Sequence, residues 1–127
     1  MIIFDIGEDF SHDPVGRFYS ESHPKDKNNL DSGEAFREEK LRPLLDALPD
    51  GQKIKFILDN DVESYGSSFL VEGFAGIVKY GYMKADDLLK CIEFQYTDPD
   101  FRFFEDKIIQ YINDAKFASE DYISSKV

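Results

Sequence analysis

The sequence has a single cysteine, Cys91, in 127 residues, so no internal disulfide can form and no Cys-x-x-Cys pair exists. Histidine is almost as scarce. His12 and His23 are the only two, and despite neighbouring Asp9, Asp13 and Asp26 they lack the close spacing of a ligand pair. No metal and no cofactor are therefore expected. Positive charge is short as well, with 15 Lys and Arg against 26 Asp and Glu and a net charge of -11. That balance excludes a generic phosphate-neutralising face and argues against nucleic acid as a partner. The acids are interleaved with lysines, so they do not form the single block of a nucleic-acid mimic. No apolar run approaches the roughly 20 residues that span a bilayer. The start "MIIFDIGEDF" has no basic segment followed by a long apolar one, and a cytoplasmic, non-membrane protein is expected.

What is present is enough for one core. Hydrophobic residues make up 42% of the chain and aromatics 15%, with 32% charged, the composition of a single globular domain. "MIIFDI" reads as a strand and "VGRFYSES" as a second, joined by a turn through "GEDFSHDP" and hence antiparallel. "HPKDKNNLDSG" has little that packs and reads as an exposed loop. A helix follows over "LDSGEAFREEKLRPLLDAL", capped by Asp31 or Ser32, with Phe36, Leu41, Leu44, Leu45 and Leu48 on one stripe and a kink or break expected at Pro43. "KIKFILD" reads as an internal strand, and Phe69, Leu70, Phe74, Ile77 and Val78 recur at helical spacing up to a stop at Gly81.

"CIEFQY" reads as a fourth strand, with the Cys91 thiol buried and inert within it. The last helix is the clearest. Asp98 caps it, Pro99 opens it, and Phe101, Phe104, Ile108, Ile112 and Ala115 form its apolar face. The order β-β-α-β-α-β-α predicts a mixed four-stranded sheet with helices packed mainly on one face, built from residues 1–115. The tail 116–127 loses periodicity and is expected to fray or to hold a short extra turn.

The two segments "SGEAFREE" and "YGSSFLVEGFAGIV" resemble the STAS-like domain family of unknown function, related in fold to the STAS domains of anti-sigma factor antagonists. The resemblance spans roughly residues 1–115, and those two segments are its specific parts. It implies a STAS-like α/β fold with a serine at the start of the helix after a central strand. In the antagonists that serine is phosphorylated by a histidine-kinase-type ATPase, whose binding the phosphate controls. Carried across, the position is Ser67 or Ser68. An aspartate commonly precedes that serine and a glycine follows it, whereas here Gly66 precedes Ser67 and Phe69 follows Ser68.

The residues themselves leave two readings of the serines. A helix start carries N–H groups without intrahelical partners and accepts a phosphate or carboxylate; a serine there also serves simply as a cap. Ser67, Ser68, Phe69 and Glu72 are thus the candidate partner-binding or phosphorylation residues. Arg17, Glu34 and Arg37 are a candidate supporting cluster, with Arg37 offering a fork to a carboxylate or phosphate, or merely closing an internal Arg–Glu pair. Ser67 and Ser68 have no histidine near them in sequence, so catalysis is not expected. The leading expectation is a non-catalytic regulatory module that docks a protein through residues 64–76; the alternative is a small-ligand or nucleotide sensor built on Arg37 and Ser67.

Overall fold

The computed structural model describes residues 1–21 and 31–126. Of the exposed loop expected over residues 23–33, residues 23–30 lie outside them. Three short strands, β1 (Ile2–Asp5), β2 (Ile54–Ile57) and β3 (Ile92–Gln95), form one sheet in the order β1-β2-β3, and both pairings are parallel. This corrects the mixed four-stranded sheet expected from sequence: the fold is α/β, but the sheet has three strands of one direction.

The strand that is missing is "VGRFYSES". Its backbone is committed elsewhere: the carbonyls of Gly16 and Arg17 accept from the N–H groups of Gly33 and Glu34 at 2.8 and 2.9 Å, and Pro14 O accepts from Gly66 N at 3.0 Å. The segment therefore runs across the starts of two helices and satisfies amides that no helical carbonyl can reach. Among its described residues a single bridge between Gly16 and Ser32 is all its strand character, and Val15 is exposed where a packed alternating strand would bury it.

Register puts Ile2, Ile54 and Ile92 in one row and Phe4, Phe56 and Phe94 in the next, all toward the helices because side chains two apart share a face. The opposite face, with Ile3, Lys55 and Glu93 in register, is open enough to leave Ile3 61% exposed.

A one-turn helix α1 (Ile6–Asp9) ends β1 and is capped by the Asp5 carboxylate. Helix α2 runs from 33 to 47. Ser32 caps it, its hydroxyl accepting from Ala35 N at 3.1 Å. No break occurs at Pro43; instead a π-turn, Arg37–Leu41, precedes the α-helical piece Arg42–Ala47 that contains it. The wider turn relieves the crowding a proline ring imposes on the carbonyls behind it.

Helix α3 runs from 67 to 79 and carries a second π-turn at Val71–Ala75 between Ser67–Leu70 and Gly76–Lys79. Gly81, at φ +83, follows its end. A short helix α4 (Ala85–Cys91) leads into β3, so Cys91 closes a helix and is half-buried rather than lying inside a strand. Helix α5 (Arg102–Asp114) follows a 3-10 turn, Pro99–Phe101, capped by Asp98. Phe101, Ile108 and Ile112 of its apolar face are buried, while Phe104 and Ala115 pack only partly.

The π-turn of α3 lies against both α2 and α5. Its approach to α2 is set by glycine, because a Cβ on Gly33 would fall 2.5 Å from the Phe69 carbonyl and 2.8 Å from Gly73 N. Among the described residues no helix is long and apolar enough to cross a membrane.

Candidate functional site

The two motif segments meet as the facing surfaces of α2 and α3, and what they build is an internal ionic cluster. Arg37 is 0% exposed and so is Glu72. The Arg37 Nη1 donates to Glu72 Oε2 at 2.7 Å and to the Glu72 carbonyl at 2.6 Å, and Nε donates to Glu38 Oε2 at 2.8 Å. The guanidinium is thus divided between two glutamates instead of presenting its fork to one ligand. Gly76 makes room for it, since a Cβ there would sit 2.6 Å from Nη1.

The cluster continues in both directions with alternating sign. Arg42 donates to Glu38 Oε1 at 2.6 Å, and Lys79 Nζ stands 3.5 Å from Glu72 Oε1 and 3.5 Å from Glu120. Tyr80 OH donates to Glu72 Oε2 at 2.6 Å. The remaining edge of Arg37, Nη2, has no hydrogen-bond partner among the described residues; the guanidinium carbon lies 4.6 and 4.8 Å from the ring centres of Tyr80 and Tyr122, a cation–π environment. The glutamates outweigh the desolvation of Arg37 and hold its pKa above the ordinary value.

Glu34 belongs to a second arrangement beside the first. It is 1% exposed, and no cation of the described residues is paired with it. Its carboxylate accepts from Tyr19 N at 2.9 Å, Tyr122 OH at 2.6 Å, Ser125 N at 3.0 Å and Ser125 Oγ at 2.5 Å. Burial pushes the Glu34 pKa up, but the bonds from Ser125, Tyr122 and Tyr19 prevail and hold it below the usual carboxylate range. These bonds involve the tail. Residues 116–126 contain no helix or strand, yet they lie along α3, with Ala118 N donating to Val78 O at 3.0 Å and Glu120 N to Lys79 O at 3.2 Å. The tail, expected to fray or to hold a short extra turn, has a turn at 117–118 and lies against α3.

Burial and the hydrogen bond to Glu34 push the Tyr122 phenol from 10.0 up to about 12. A raised folded-state value means the neutral phenol's contribution is complete below its ordinary pKa and is lost as pH climbs through the folded one. An NMR titration of the Tyr122 ring carbon is expected to show its midpoint near 12. A midpoint near 10 would mean that the phenol is free of Glu34.

The serines stand apart from both arrangements. Gly66, in extended conformation, is the N-cap of α3, and no side chain supplies a capping bond. This corrects the capping reading of Ser67 and Ser68, which occupy the first turn itself. Ser67 is exposed, Ser68 half-buried, and Phe69 and Glu72 are buried. Among the described residues no hydrogen bond or ion pair joins either serine to Arg37, Glu34 or Glu72. Arg17 meets the motif through its carbonyl, which accepts from Glu34 N at 2.9 Å, while its side chain lies 6.0 Å from the Phe18 ring centre.

His12 is exposed, His23 lies outside the described residues, and among those described no three His, Cys, Asp or Glu side chains converge as metal ligands. Sequence reasoning named Glu34, Arg37 and Glu72 but missed Glu38, Lys79, Tyr80 and the tail residues Tyr122 and Ser125. Glu38 was within reach of inspection, one residue from Arg37; the tail residues had no local pattern to reveal them. The chain matches no family model, no curated protein and no solved structure.

Proposed function

We propose that this chain is a non-catalytic regulatory interaction module that offers residues 64–68, with Ser67 exposed, to a protein partner in the cytoplasm. The observation that carries the reading is the Ser67 side chain, exposed in the first turn of α3 with no capping bond to make. The turn behind it is anchored by buried Phe69 and Leu70, so the hydroxyl stands on a firm base. Phe69 and Glu72 act in this reading as supports and not as contacts. A histidine-kinase-type ATPase is the partner class that the STAS-like resemblance supplies, and a phosphate on Ser67 would meet the positive end of a helix. The small-ligand alternative draws no support from Arg37, which is 0% exposed and gives its Nε and Nη1 to Glu38 and Glu72.

Ser67→Ala and Ser67→Asp are expected to change unfolding free energy by no more than about 0.5 kcal/mol, the range of ordinary surface substitutions. Partner recovery in a pull-down from the native host is expected to fall for Ser67→Asp, whose charge imitates a phosphate. Equal recovery by all folded variants would remove Ser67 from the interface and this reading with it.

A further inference from the structure

We infer that the cleft formed by Glu34, Arg37 and Tyr80 is a peptide-recognition site that the chain's own segment 116–126 occupies in cis, and that it accepts in trans a peptide presenting a phenol and, three residues on, a hydroxyl. The inference is separate from the reading of Ser67.

The chemistry of Glu34 points to recognition. A carboxylate 1% exposed takes three of its four donor contacts among the described residues from the tail, through Tyr122 OH, Ser125 N and Ser125 Oγ. Without the tail it keeps one, from Tyr19 N. A contact needed only for stability could be apolar on both sides, since exchanging a whole buried polar arrangement for well-packed hydrophobes is often neutral or stabilising. A buried acceptor satisfied by hydroxyls does something else: it rejects a segment that lacks them, because the acceptor would then be left unpaired. The Arg37 guanidinium adds selectivity for an aromatic ring, with Tyr122 at 4.8 Å and Tyr80 at 4.6 Å, and the Tyr80 and Tyr122 rings 5.4 Å apart.

The occupant's backbone is lightly attached. Its only backbone bonds to the backbone of α3 are those of Ala118 and Glu120, and Ser20 N reaches Ser125 Oγ at a long 3.3 Å. Ile123, between the two recognised side chains, is 84% exposed, and Phe117 is 47% exposed. The segment crosses a turn in which Ala118 has φ 55, a left-handed conformation that disfavours any residue with a Cβ. Specific side-chain recognition combined with weak backbone attachment is the behaviour of a ligand, and a tethered ligand lowers the apparent affinity of its site for an identical free one.

The test uses the full chain and a fluorescein-labelled peptide with the sequence of residues 116–126. Fluorescence anisotropy is read for wild type and for the full-chain variant Tyr122→Ala/Ser125→Ala, whose own tail should vacate the cleft. The variant is expected to bind the peptide at least tenfold more tightly than wild type. On the same receptor, peptides carrying Tyr122→Phe or Ser125→Ala should each bind several-fold more weakly, which keeps the receptor's folding out of the comparison. In wild type, excess peptide should accelerate hydrogen exchange at the chain's own Ala118 and Glu120 amides. Equal binding by wild type and variant, equal binding of the altered peptides, or unchanged exchange at those amides would each overturn the inference.

Discussion

Replacing Arg37 with alanine is expected to lower the unfolding free energy by about 3–5 kcal/mol, the cost of removing one member of a buried ion pair. Both Arg37 and Glu72 are 0% exposed, so water cannot replace the bonds that Arg37 gives to Glu72 and Glu38. Glu72 would keep Tyr80 OH at 2.6 Å and Lys79 at 3.5 Å, which softens the loss without restoring it. The double variant Arg37→Met/Glu72→Leu should recover much of the stability, because a pair removed together leaves no orphaned charge. Urea denaturation followed by circular dichroism measures both. A loss below about 1 kcal/mol for Arg37→Ala would show that the cluster opens to water, since that is the scale of exposed pairs.

Phe36→Ala is expected to cost about 3–5 kcal/mol as well, by the different route of leaving a cavity. Phe36 is 0% exposed and its ring centre stands 5.1 to 6.1 Å from those of Phe74, Phe69, Phe10, Phe56 and Phe4. It therefore joins the sheet to both motif helices. Phe104→Ala, by contrast, should cost clearly less, because Phe104 packs only partly against the core and its neighbours can close over the gap. Equal losses at the two positions would contradict this division of the aromatic core.

How much of this was legible in the sequence depended on whether the cause was local. The runs that became β1, β2 and β3 and the apolar stripes of α2, α3 and α5 are readable because periodicity reports burial directly. Ser32 could be named as a cap for the same reason. "VGRFYSES" misled because alternation describes side chains, whereas the fate of that segment was decided by its carbonyls, taken by Gly33 and Glu34 amides.

Helix α4 escaped notice since seven residues, Ala85–Cys91, give too few turns for a stripe to show. The serines were misread as caps because an extended Gly66 can fill that position with no side chain at all. Docking of the tail depends on Tyr122 and Ser125 meeting a residue 88 and 91 positions earlier in the chain, and no window along the sequence contains both partners. The pairing of Arg37 with Glu72 was half visible: both charges were noticed, but a sequence does not tell which residue consumes a guanidinium's donors.

The two π-turns bear on how this chain can change length. Arg37–Leu41 and Val71–Ala75 each hold one residue more than an α-turn would, and their first two residues include Arg37 and Glu72, the two ends of one bond. Loss of a single codon within either stretch would turn the wide coil back into an ordinary one while leaving the flanking apolar stripes nearly in line. Such a deletion would look harmless on a helical wheel. It would nonetheless shift one end of the Arg37–Glu72 bond past the other and, in α2, bring Pro43 against a tightened turn. Shortening is therefore tolerable only if both helices and the proline change together, so the lineage of this fold should show these features gained or discarded as a set.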